Sequence, residues 1–189
     1  ETEGIIFPAG YFAEYGGVYK DMQEAFVTLF QAFLVALLLI YMIMAAQFES
    51  LRHPLVIMAT VPLSFIGVVM GLFIFGKPLS VPAFMGILIL AGVVVNNGIV
   101  MVDYINRLRR QGMDAFEAIL QGASVRLRPV LITTFTTVFG MLPMAISQTQ
   151  GSELRSPMAI TVASGLLFSM LLTLVVIPVV YSLVDRIKE

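Results

Sequence analysis

The sequence predicts an all-α polytopic membrane protein, and three observations predict it. Five stretches hold no Lys, Arg, Asp or Glu: residues 25–46, 54–76, 81–102, 129–147 and 157–184. Their 22, 23, 22, 19 and 28 residues, at roughly 1.5 Å of helical rise each, suffice to cross a hydrocarbon core about 30 Å thick. Composition is the second observation. With 59% hydrophobic and 12% charged residues and a mean hydropathy of +0.95, a soluble domain of 20.7 kDa would lack the polar surface to cover itself. The third is charge asymmetry. Arg52, Arg107, Arg109, Arg110, Arg126, Arg128, Arg186 and Lys188 follow the first, third and fifth stretches, against Lys20, Lys77 and Arg155 on the other side. The positive-inside rule then predicts an external N-terminal segment and a cytoplasmic C-terminus.

The elements follow in order. Residues 1–24 contain the pair Ile5 and Ile6, then Pro8, Gly10, Gly16 and Gly17, the pattern of a short extramembrane strand and turn. A lone strand needs a sheet to join, so its partner strands are expected in sequence upstream of Glu1. The first membrane helix, 25–47, is expected to begin its lead-in near Val18 to Met22. A tight turn carries the chain to Pro54, well placed in the first turn of the second helix, 54–76. Gly67 and Gly71 on that helix form a GxxxG face suited to close approach by another helix. After a short turn with Pro78 and Pro82 comes the third helix, 81–106.

Gly112 then punctuates the chain, and Asp114 with Glu117 can close a capping box. Phe116, Ile119, Leu120 and Ala123 fall at i, i+3, i+4 and i+7, which predicts an interfacial helix over 114–124, lying on the membrane surface or packed on the protein itself. The fourth and fifth membrane helices, 129–147 and 157–184, are joined by a polar outer loop and followed by a tail, 185–189. Pro62, Pro143 and Pro178 each release a carbonyl inside a span and favour a kink. Tyr41, Tyr104 and Tyr181 sit near span ends, as interfacial anchors do.

Several functions are disfavoured. A net charge of -1 points to no nucleic-acid partner, and zero cysteines exclude disulfide and thiol chemistry. Residues 71–77 spell the start of a phosphate-binding loop, but Pro78 replaces the magnesium-binding hydroxyl and the match ends a span instead of following a strand. His53, beside an Arg at the membrane edge, reads as an interfacial residue. No nucleophile–base pair, metal-ligand cluster or cofactor loop is visible, so an enzyme is disfavoured and no catalytic residue, cofactor or metal is expected.

Chemistry concentrates on the third and fourth spans. Asn96 and Asn97 lie mid-helix, with Gly92 four before Asn96 and Asp103 seven after it, on one face. An unsatisfied polar group in hydrocarbon costs several kcal/mol, so that face is expected to look into protein. Two readings stand: interhelical glue, worth roughly 0.6 to 2 kcal/mol per contact, or a polar transport pathway. On the fourth span Thr133, Thr136, Thr137 and Gly140 share a side, although a membrane threonine commonly bonds its own i−4 carbonyl.

The segments GVVVNNGIVMVDYINR (92–107) and RLRPVLITTFTTVFGMLPMAIS (126–147), followed by the final Pro178-Val-Val-Tyr181, resemble in order and spacing the C-terminal membrane half of resistance-nodulation-division efflux transporters of the acriflavin-resistance type. The resemblance covers nearly the whole chain, from the end of a periplasmic porter subdomain through that family's eighth to twelfth membrane helices. It implies a proton-driven exporter of the bacterial inner membrane that acts as a homotrimer, in some members with a periplasmic adaptor and an outer-membrane channel. In the family an aspartate pair on the fourth helix works with a lysine and an asparagine on the tenth and a threonine on the eleventh. The asparagine matches Asn97 and the threonine Thr133. The lysine position falls on Asn96, a departure that leaves the counter-charge role unfilled. Asp103 and Thr137 are secondary candidates. The aspartate pair belongs to the N-terminal half, which this sequence does not include, so that half is an expected partner. A protein-export or lipid-transport member of the superfamily and a non-transporting scaffold are the alternatives.

Overall fold

The computed structural model describes residues 17–147 and 149–186. Six helices form: α1 (Val18–Phe48), α2 (Arg52–Met58), α3 (Thr60–Ile74), α4 (Val81–Arg110), α5 (Ala115–Ile146) and α6 (Ser152–Arg186). Among the described residues no strand forms, and five helical rods are long and apolar enough to cross a membrane. The chain is an all-α polytopic membrane protein. The expected strand near Ile5 and Ile6 and the last residues of the tail lie outside the described residues, as does Gln148.

The second expected span is made of α2 and α3, which meet at Ala59. Pro62 cannot donate to the carbonyl four residues back, and beside it the Thr60 hydroxyl donates to the Ile57 carbonyl at 2.6 Å. Ala59 keeps helical angles (φ -60, ψ -20), so His53–Ile74 remains one membrane-length rod. Its C-terminal end closes through Gly76, whose φ of +61 permits Lys77 N–H to reach the Leu72 carbonyl at 2.9 Å. The apparent phosphate loop is therefore a helix C-cap.

At the start of α4 the Ser80 hydroxyl accepts from Ala83 N–H, and Pro82 occupies the first turn, where a missing N–H costs nothing. The interfacial helix expected over 114–124 is not a separate element. It is the first third of α5, which runs unbroken through Pro129 to Ile146. Asp114 caps it, accepting from Phe116 N–H at 3.1 Å. The stretch is fixed by protein contacts, because Ala118 and Ile119 are buried and Gly122 lies directly against Ile105 of α4. Of the expected apolar face, Phe116 and Leu120 point away from the protein at 68% and 56% exposure. The loop between α5 and α6 is also shorter than expected, since α6 begins at Ser152.

Helix α6 is the centre of the bundle, packed against α3, α4 and α5. Gly67 and Gly71 make that possible: a Cβ on Gly67 would lie 3.0 Å from the Ser164 carbonyl, and one on Gly71 would collide with the Ser164 side chain. The expected close helix approach is thus between α3 and α6. Ser156, buried at the start of α6, donates to the Ala145 carbonyl at 2.8 Å and ties α5 to α6. Helix α1 is peripheral. Its Phe33 meets Phe65 and Phe84 at ring distances of 6.1 and 6.4 Å, while Leu38, Met42 and Ile43 stay exposed.

Candidate functional site on helices α4 and α5

The inward stripe of α4 includes Ile87, Leu90, Ala91, Val94, Val95, Gly98, Met101 and Val102. Because that stripe is apolar and follows the helical repeat, the opposite side is turned away from α6. Gly92, Asn96 and Asp103 share that side, as their spacing requires, but the side expected to look into protein is exposed in this chain, with Asn97 half-buried beside them. Neither amide makes a side-chain hydrogen bond to another described residue. Inside hydrocarbon two such groups would each cost several kcal/mol, so within this chain they are not glue.

On α5 the buried line is Val130, Thr134 and Val138, and Thr133, Thr136 and Gly140 are exposed. Pro129 lacks an N–H, which frees the carbonyl four residues back, at Val125, at the start of this span. Thr133 Oγ1 donates within it, 3.1 Å from both the Pro129 and Val130 carbonyls, and Thr137 Oγ1 donates to the Thr133 carbonyl at 2.8 Å. Both hydroxyls are satisfied as donors and keep lone pairs free to accept. Asn96, Asn97 and Thr133 thus lie on outward parts of two helices that pack on each other, not on a closed internal site.

Two features escaped the sequence reading. Arg126, counted only for topology, stacks over Tyr104 with its guanidinium carbon 5.3 Å from the ring centroid, and its Nε is enclosed without a hydrogen-bond partner. The i, i+3, i+4 rules act along one helix and give no signal for an α5-to-α4 contact. Thr134 and Thr161 each bury a hydroxyl with no partner among the described residues. Tyr41, expected to anchor in headgroups, donates to the Leu51 carbonyl at 3.4 Å. The Tyr181 side chain lies outside the described residues.

Comparison with known proteins places this architecture. The AcrB/AcrD/AcrF family profile matches residues 2–185. The chain is 39% identical over 185 residues to the cobalt-zinc-cadmium resistance protein CzcA of Cupriavidus metallidurans, covering 98% of this chain and 17% of that protein. It is 37% identical over 176 residues to the multidrug resistance protein MdtC of Proteus mirabilis, covering 93% of this chain and 17% of that one. A crystal structure of a heavy metal efflux pump superposes with a TM-score of 0.82 at 34% identity, over 90% of this chain and 17% of the pump. The chain spans about a sixth of the length of these relatives. With its five membrane helices and its ordered Asn and Thr motifs, the chain belongs to the AcrB/AcrD/AcrF family of resistance-nodulation-division transporters.

Proposed function

We propose that this chain supplies the C-terminal membrane bundle of a proton-driven exporter, and that Asn96, Asn97 and Thr133 form its side of the coupling site. The observation that carries the reading is the outward, unpartnered placement of the two amides, which calls for polar partners from elsewhere in the transporter. An amide donates to an ionised carboxylate through NH₂ and accepts from a protonated one through C=O, so Asn96 and Asn97 can partner both states of an acid without changing charge. Asn96 takes the place where the family has lysine, and the site works here without that cation. Asp103, toward the end of α4, and Thr137, one turn beyond Thr133, extend the polar track.

The chain's relatives include proteins named for multidrug and for cobalt-zinc-cadmium resistance, matched at similar identity. This supports a shared coupling bundle, with cargo chosen by segments outside it. Export of hydrophobic or amphiphilic compounds is the cargo reading adopted here. The protein sits in the bacterial inner membrane with residues 1–24 periplasmic and the C-terminus cytoplasmic, assembles as a homotrimer with the N-terminal half of the transporter, and joins a periplasmic adaptor and an outer-membrane channel. The test is efflux by the complete transporter carrying Asn96→Leu, Asn97→Leu or Thr133→Ala. Export and its accompanying proton flux should be lost at normal expression and trimer content. Undiminished export in all three would refute the assignment.

A further inference from the structure

We infer that Tyr104 is a positioning residue for the coupling site: its ring holds the Arg126 guanidinium at the α4–α5 seam, where that guanidinium supplies the positive charge that Asn96 lacks. The inference rests on the coupling-site reading above and adds to it one residue and one charge.

Topology puts the stack on the polar track. Helices α4 and α5 run antiparallel, joined by the turn at residues 111–114. The Arg126 guanidinium carbon lies 5.3 Å from the Tyr104 ring centroid, so these two residues mark the register between the helices. Seven residues back along α4 is Asn97, and seven residues on along α5 is Thr133. Seven residues make two helical turns, which return to the same face after a rise of roughly 10 Å. On both helices, then, the stack lies two turns from the level of Asn97 and Thr133 and on the same face as they do.

The ring is what fixes the guanidinium. Arg126 makes no hydrogen bond or ion pair with another described residue, and its Nε is enclosed with no acceptor, although the guanidinium has five N–H donors to satisfy. Both members of the stack are half-buried. Asp103 and Arg107 on α4 and Arg128 on α5 are exposed, and none of them pairs with Arg126; the α6 side chains beyond Thr173 lie outside the described residues. With the ring removed, the long side chain is free to carry its charge out to water.

Arginine stays charged throughout the working pH range. Held roughly 10 Å from an acid seated at Asn97 and Thr133, at an effective dielectric of about 20, it favours the ionised acid and lowers its titration midpoint by about one pH unit. Losing the charge, or letting it swing away, therefore raises that midpoint.

The experiment is an infrared titration of the complete transporter in lipid, following the C=O stretch of protonated buried carboxyl groups. Arg126→Gln should raise the midpoint by about one pH unit. Tyr104→Leu, which keeps the arginine but removes the ring, should move it in the same direction, and Tyr104→Phe, which keeps the π face, should restore the original value. Arg128→Gln removes an exposed arginine from the same end of α5 and should leave the midpoint where it was. Size-exclusion chromatography checks the assembly of each variant. An unchanged midpoint in Arg126→Gln, or an equal shift in Arg128→Gln, overturns the charge. Equal midpoints in Tyr104→Leu and the unmodified transporter, or in Tyr104→Leu and Tyr104→Phe, overturn the positioning by the ring, since a tyrosine that only packs the seam does not move the titration. Failure of the coupling-site reading itself looks different: no titrating buried carboxyl in the unmodified transporter, or undiminished export in the Asn96, Asn97 and Thr133 variants.

Discussion

Ser164 of α6 occupies the space that a side chain on Gly71 of α3 would need, and its hydroxyl is turned back to the Ile160 carbonyl at 2.7 Å. Two helices about ninety residues apart in sequence are thereby brought into near backbone contact. A transfer from water is not available to drive helix association inside a bilayer, so this close packing carries the contact.

Gly71→Leu should destabilise the bundle by about 1–3 kcal/mol, the usual cost of overpacking. Gly140→Ala is the opposite case, since nothing lies within 4 Å of its added Cβ; it should be neutral or stabilise by up to about 1 kcal/mol. Unfolding in mixed micelles with rising dodecyl sulfate measures both. Equal effects would mean that the α3–α6 contact is looser than described.

Ser156→Ala removes the hydroxyl that holds the Ala145 carbonyl across the α5–α6 turn. The expected loss is about 0.5–1.5 kcal/mol in the same titration. Amide exchange near Ala145 should rise while exchange in α4 stays constant.

Asn96→Leu and Asn97→Leu separate glue from coupling. Neither amide has a side-chain hydrogen bond to lose among the described residues, so the stability of the chain should change by no more than about 0.5 kcal/mol, or rise. A large loss of stability in the chain alone would make the amides packing elements.

Tyr104→Leu should weaken the α4–α5 contact by about 0.5–2 kcal/mol through loss of the ring beneath Arg126, while Tyr104→Phe keeps the π face and most of the stability. The two variants compared by thermal unfolding in detergent decide it. Equal losses would assign the effect to the hydroxyl.

Membrane orientation is open to direct measurement, because the chain has no native cysteine to interfere. Single cysteines at Ser50, Ser80, Gln111 and Ser152 should react with an impermeant maleimide from outside only at Ser80 and Ser152. The reverse pattern would invert the topology drawn from the basic residues.

What the sequence by itself determined is what depends on one dimension. Five uncharged stretches of membrane length became five spans, since the cost of placing a charge in hydrocarbon is read residue by residue. Asp114 marked a helix start because a cap bonds within its own first turn. The spacing of Gly92, Asn96 and Asp103 gave their common face, and the AcrB-like order of motifs gave the family. The tertiary structure decided the rest. Pro129 was expected to open a new helix, yet α5 passes through it, because Gly122 and Arg126 before it contact α4 and Ala145 after it is tied to α6. Packing on both sides outweighs the single hydrogen bond a proline removes. Likewise Gly67 and Gly71 announced a close neighbour but not which one, since the partner is chosen by the shape that Ser164 and Phe168 present in space. Only the packed bundle decided that the amides of α4 face outward, because burial of the apolar stripe against α6 leaves the polar side to whatever lies beyond this chain.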